Sequence, residues 1–170
     1  MTVASGLKAR LITATAAAMT ERRLHPLIRH QPDPDHPGWM TWDLPGDDSR
    51  FNATLGRLLV RAEGEGRARC RMFPDVAQSN LGNIVHGGAI LTFIDMAMFA
   101  GGYAAGASLG PSVTLDLSAQ FLSGAKLGLP LDCSVELLRE SKRMAVMRGL
   151  VEQEGEIVAS WSGTLRKLSR

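Results

Sequence analysis

Aromatic side chains are scarce in this chain of 170 residues: five Phe, three Trp and one Tyr. That argues against a base-stacking platform for single-stranded nucleic acid. Charge of one sign is also lacking. The formal net charge is +2, too small on its own to draw the chain to nucleic acid or to a membrane surface. Cysteine occurs twice, as Cys70 and Cys133, each inside an apolar, strand-like run without metal-ligand spacing. We read them as buried free thiols of a reducing compartment and expect a cytoplasmic location and no bound metal or cofactor. Outside one stretch near residue 95 there is no apolar run long enough to span a bilayer, and that stretch carries a carboxylate, so no membrane span is expected.

What is present is ordinary globular material, 45% hydrophobic and 21% charged. The length suits one domain with a real core. The opening segment, "MTVASGLKARLITATAAAMTERRLHPL", loosely resembles a targeting peptide, but Thr13 and Thr15 break its apolar part. We expect a helix from Lys8 to about Leu24 instead. The next segment, "HPLIRHQPDPDHPGWMTWDLPGDD", holds five of the eight prolines. It reads as an extended arm, because proline is excluded from helix interiors and central strands. Its histidines, His25, His30 and His36, are too loosely spaced to read as a metal site. Residues 1–48 are thus an N-terminal helix and Pro-rich arm, and 49–170 the main domain. The arm is expected to pack outside the sheet or across a subunit boundary.

From Arg57 the texture changes. "RLLVRAEGEGRARCRMF" reads as two strands joined at Gly64–Gly66. A polar, Asn-rich loop follows, then an apolar helix from Gly87 to about Ala105. Its small-residue end, "GGYAAGASLG", predicts fraying and a glycine stop. After Pro111 the period switches to two. Val113, Leu115, Leu117, Ala119 and Phe121 alternate with Thr114, Asp116, Ser118 and Gln120, which specifies a half-buried strand. Three more strands follow, the last two joined at Glu154-Gly155. The expected class is α+β: an antiparallel meander wrapped on one long helix.

The helix carries the chemistry. Gly87 and Gly88 let another group approach the backbone at its start. The first N–H groups of a helix lack internal partners and sit at the positive end of its dipole. They suit a carbonyl oxygen that gains negative charge, although the same glycines would also serve tight packing. Asp95 lies nine residues after His86, about 13 Å along the axis. The two cannot meet on one reacting group within one chain, so a shared substrate requires two chains related by a two-fold axis. A carboxylate at such a boundary can act as general base or nucleophile. It can equally be a structural Asp held by a hydroxyl or a backbone N–H.

"NLGNIVHGGAILTFIDMAM", then "SVTLDLSAQFLSGAKLG" and a final "GEIVASWSGTLRKL" resemble the hotdog-fold acyl-CoA thioesterases, the phenylacetic-acid-pathway (PaaI-like) type most closely. The resemblance runs from about Arg57 to Leu168. It implies a hotdog fold and hydrolysis of an acyl-CoA thioester in an active site shared by two subunits of a homodimer, which in this family often pairs again into a tetramer. It further implies that Asn80 holds the thioester end, that His86 and Gly87 form the step whose Gly N–H polarises the carbonyl, and that Asp95 activates water or attacks. Thr114 falls where the family has a hydroxyl that orients that water. Gly88 and Phe121 fall at the substrate-binding surface, and Arg139, Ser141, Lys142 and Arg143 where the family contacts the nucleotide end of coenzyme A. Strand alternation alone aims Thr114 away from Asp95, unless a bulge re-aims it. The alternatives are a non-catalytic acyl-CoA-binding module, a dehydratase of the same fold, and an oligomeric scaffold with a decayed pocket.

Overall fold

The computed structural model describes residues 24–43 and 49–168. The helix expected from Lys8 falls outside them but for Leu24. β1 (Met40–Thr41), β2 (Leu58–Ala62) and β3 (Arg67–Met72) precede the helix α1 (Gly87–Ala104). β4 (Ser112–Phe121), β5 (Leu131–Glu140), β6 (Met144–Gln153) and β7 (Glu156–Lys167) follow it. They form one antiparallel sheet in the order β1-β2-β3-β5-β6-β7-β4. The expected α+β class is present, with one refinement. β4 does not open a meander with β5. It pairs with β7 at the far edge, and residues 122–130 carry the chain back to the sheet centre, where β5 must lie against β3 to cover α1.

α1 is long and apolar enough by composition to cross a membrane, but the sheet wraps it. Phe93, Ile94, Ala97, Met98 and Ala100 are fully buried against the strands. Burying each of the large ones contributes roughly 1.5–3 kcal/mol. The small residues at its end do not fray. Gly101 and Gly102 are helical and buried, because a Cβ at Gly101 would stand 2.4 Å from Val135 Cγ2 and one at Gly102 3.0 Å from Met147 Sδ. They are bare so that helix and sheet can approach. The stop comes after them, at Gly106 with φ 106°.

Cys70 and Cys133 face each other across β3 and β5, both free and fully buried. Burial pushes both thiols up, so neither is a nucleophile at neutral pH. On the outer face Arg71 makes a two-pronged ion pair with its cross-strand neighbour Asp132 at 2.6 and 2.8 Å.

The Pro-rich arm is an ordered hairpin. Arg29 and Asp43 exchange backbone hydrogen bonds, Thr41 N–H donates to Gln31, and Asp33 N–H donates to Trp39. β1 then extends the sheet beside β2, at an edge, where proline-rich sequence is tolerated. Two tryptophans fix it. Trp39 meets the guanidiniums of Arg61 and Arg71, 4.5 and 4.6 Å from its ring centre. Trp42 turns inward and meets the Tyr103 ring of α1 at 5.7 Å.

Candidate active site

The approach to α1 is fixed by one buried residue, Gln78. Its backbone carbonyl accepts from His86 N–H at 2.8 Å. Its side chain accepts from Asp75 N–H and donates to Thr54 C=O. With Asp75 Oδ1 accepting from Ala77 N–H, this is a capping box on the short 3-10 turn Val76–Gln78. The sequence reading missed Gln78, although the Asp-x-x-Gln spacing is the signal of such a box. Next along the chain, Asn80 Oδ1 accepts from Gly82 N–H at 2.8 Å and Ile84 N–H at 3.4 Å, closing the loop that leads to His86.

His86 is the N-cap of α1. Its Nδ1 accepts from Gly88 N–H at 2.8 Å, so the ring proton sits on Nε2. A Cβ at Gly88 would lie 3.0 Å from Nδ1, so the ring would have to shift to admit one. The ring thus occupies the Gly88 N–H. Ala89 and Ile90 donate to the His86 carbonyl. Among the described residues no acceptor meets the Gly87 N–H, which leaves one helix-start donor open. The Phe121 ring at the end of β4 lies over Gly87, about 3.5 Å from where a Cβ would be. Asn80 and His86 line one shallow depression beside it.

Asp95 sits two and a half turns further along α1, half-buried rather than buried, on a separate cleft of about 640 Å³. Thr114 Oγ1 donates to Asp95 Oδ1 at 2.6 Å, the length of a hydroxyl-to-carboxylate hydrogen bond. The bulge that this needs is present. Thr114 pairs with Leu165 but Asp116 with Thr164, so Leu115 is the extra residue. It shifts the phase of β4 by one, and Thr114 points at α1 on the same side as Leu117 and Ala119.

The structure therefore joins Asp95 to Thr114, and gathers Asn80, His86, Gly87, Gly88 and Phe121 at the helix start. The two groups do not meet within one chain. The β5–β6 turn stands near the Asp95 cleft, and Lys142 lines that cleft. Ser141 is spent on the turn, its hydroxyl accepting from the N–H groups of Arg143 and Met144 at 3.2 and 3.0 Å. Arg139, Lys142 and Arg143 are exposed, whereas Lys167 nearby is paired with Glu140. Among the described residues no cluster of His, Cys, Asp and Glu could hold a metal ion.

The chain is similar in sequence and fold to known proteins. The model of the Thioesterase superfamily matches residues 82–160. Acyl-coenzyme A thioesterase 13 of Homo sapiens is 26% identical over 99 residues, which is 56% of this chain and 67% of that protein. A mutant structure of the phenylacetic acid degradation protein PaaI from Thermus thermophilus superposes with a TM-score of 0.59 at 26% identity, covering 69% of this chain and 98% of that one. The protein smu.793 of Streptococcus mutans UA159, solved bound to acetyl CoA, shares the fold with a TM-score of 0.57 at 20% identity, over 65% of this chain and 88% of its own. Residues 82–160 are thus similar to the thioesterase superfamily, and the antiparallel sheet wrapped on α1 is the hotdog fold of the PaaI structure.

Proposed function

We propose that this protein hydrolyses an acyl-CoA thioester to the free acid and CoA, in an active site built by two copies of the chain. The observation that carries the reading is the division of α1 into two half-sites: an open Gly87 N–H at its start, and an Asp95 carboxylate held by Thr114 further along. A thioester carbonyl needs both at once. About 13 Å of helix separates His86 from Asp95, so the donor comes from one copy and the carboxylate from its partner.

The exposed edge strand supports this pairing. Among the described residues β4 has a neighbour on one side only, β7, and its other edge carries backbone groups that none of them pairs. Val113, Leu115, Phe121 and Leu122 are 44%, 56%, 50% and 62% exposed there and just beyond it. Such a concentration of apolar side chains on an open edge suits a second copy. β4 also carries Thr114, and its Phe121 touches Gly87, so the same edge borders both half-sites. A further pairing of dimers belongs to the same proposal.

The chemistry follows. The partner's helix start would receive the thioester oxygen, and the Gly87 N–H would stabilise the charge it gains in the tetrahedral state. Asp95 would take a proton from water as its oxygen attacks the carbonyl carbon, or would attack that carbon itself and form an anhydride that water then opens. In both courses the C–S bond breaks and the CoA thiolate leaves and is protonated. Thr114 fixes one carboxylate oxygen and leaves the other for the reaction. Arg139, Lys142 and Arg143 would face the phosphates of CoA, with Ser141 shaping their turn. Asn80 would hold the loop that presents His86 and Gly87. The free thiols fit a reducing, cytoplasmic setting.

The test is a hydrolysis panel of short, medium, long and aryl acyl-CoA substrates, read by thiol release and accompanied by light scattering. Thioester cleavage by a dimer or larger assembly is expected. Tight binding of acyl-CoA without cleavage of any panel member would make the protein a binding module instead, and an active monomer would remove the shared site.

A further inference from the structure

The cleft at Asp95 has a wall that the matched superfamily region does not supply. From α1 it is lined by Met96, Phe99 and Tyr103, which share one helix face and continue about 12 Å beyond Asp95. Leu24, Ile28 and Trp42 of the Pro-rich arm line the same cleft. The arm lies outside residues 82–160. These six side chains are apolar or aromatic, and the Asp95 carboxylate opens onto the same cleft.

We infer that the N-terminal arm is a specificity element, setting how long an apolar acyl tail the Asp95 cleft accepts. The inference rests on the acyl-CoA reading above. A thioester held at Asp95 has to place its acyl group in space adjoining that carboxylate, and the stripe along α1 adjoins it. Length discrimination needs walls that keep their place, and the arm does. It is a hydrogen-bonded hairpin, and its Trp39 ring is held by the guanidiniums of Arg61 and Arg71. Inside, the Trp42 and Tyr103 rings meet at 5.7 Å. The His30 ring packs edge-on to both at 5.7 and 5.6 Å, and its Nδ1 is bonded to the Thr41 carbonyl at 2.9 Å. An aromatic group braced in this way stands about two turns from Asp95 and resists displacement by a growing chain.

Ile28 and Leu24 are the residues to change, because both are only partly buried and neither holds the hairpin together by its side chain. Ile28→Phe narrows the cleft and Leu24→Ala widens it. Both are compared with the wild-type full chain on acetyl-, hexanoyl- and decanoyl-CoA, reading kcat/KM, and calorimetric Kd under conditions that prevent turnover. Each methylene that loses its place out of water costs about fourfold. Ile28→Phe should therefore weaken decanoyl-CoA at least tenfold relative to acetyl-CoA, with acetyl-CoA itself within twofold of wild type. Leu24→Ala should shift the same ratio measurably, with an unchanged Tm. An unaltered decanoyl-to-acetyl ratio in both variants overturns the inference, even if the protein hydrolyses acyl-CoA well. If the wild type cleaves none of the panel, the hydrolase reading fails by itself, and the ratio of Kd values still decides the role of the arm.

Discussion

Thr114→Val removes one hydroxyl from the site and little else. In the wild type that hydroxyl donates to Asp95 Oδ1 at 2.6 Å. A hydrogen bond to a charged group is typically worth about 1.5–3 kcal/mol, equivalent to roughly ten- to 150-fold in a rate if its loss is felt wholly in the transition state. Part of it serves the resting enzyme equally, and that part does not accelerate the chemistry. We therefore expect kcat to fall about ten- to 100-fold. KM should stay within about threefold, because Thr114 is placed to act on the carboxylate and not on the CoA moiety. The share of that bond that serves the resting protein is lost from the fold as well, so stability should fall, by no more than about 3 kcal/mol. Thr114→Ser keeps the donor and should retain most of the activity. The assay is steady-state thioester hydrolysis with a parallel thermal melt. A folded Thr114→Val protein with wild-type kcat would refute the positioning argument, and so would a Ser variant as impaired as the Val one.

Other expectations concern packing, assembly and pH. Gly101→Ala places a Cβ 2.4 Å from Val135 Cγ2. Overpacking of this kind costs about 1–3 kcal/mol, beyond the roughly 1 kcal/mol that alanine returns in helix propensity, so a urea midpoint equal to wild type would contradict the close-approach account. Leu115→Glu puts a charge on the open β4 edge and should shift the protein toward monomer with parallel loss of turnover; sedimentation showing an intact, fully active dimer would speak against that interface. Asp33 anchors the arm. Burial by itself would raise its carboxyl, but hydrogen bonds from His36, the Asp35 amide and Arg57 outweigh that and hold it below the usual range. The stabilisation is present above the ordinary value of about 3.8 and is lost as pH falls below it through the lowered one. Acid titration followed by tryptophan fluorescence should show the arm loosening there, and Asp33→Asn should remove that component.

Much of this was legible in the residues, for local reasons. The alternation from Val113 to Phe121 specified β4, and Glu154-Gly155 specified the β6–β7 turn, where both residues adopt positive φ of 51° and 85°. The apolar run after His86 specified α1. What failed was non-local. Gly101 and Gly102 read as a fraying helix end because their reason for being small lies on β5 and β6. The place of β4 beside β7 depends on which strands α1 covers, and no local pattern encodes that. The direction of Thr114 turns on a single bulged residue, Leu115, which inverts the two-residue period; the alternation rule gave the opposite face. The docking of Trp39 and Trp42 was hidden because their partners, Arg61, Arg71 and Tyr103, are distant in sequence. Gln78 carried a readable capping signal and was overlooked because the segment read as loop.

Everything proposed for the chemistry depends on Asp95. Asp95→Asn preserves size and can still accept from Thr114, so fold, assembly and acyl-CoA affinity should persist while the general base or nucleophile is removed. Loss of such a group typically lowers turnover by about 10²- to 10⁴-fold. The decisive measurement is kcat of purified Asp95→Asn on the best acyl-CoA of the panel, with Kd and Tm taken on the same preparation. A fall of two orders of magnitude or more at near wild-type Kd and Tm is the expected result. Hydrolysis at the wild-type rate would contradict the account.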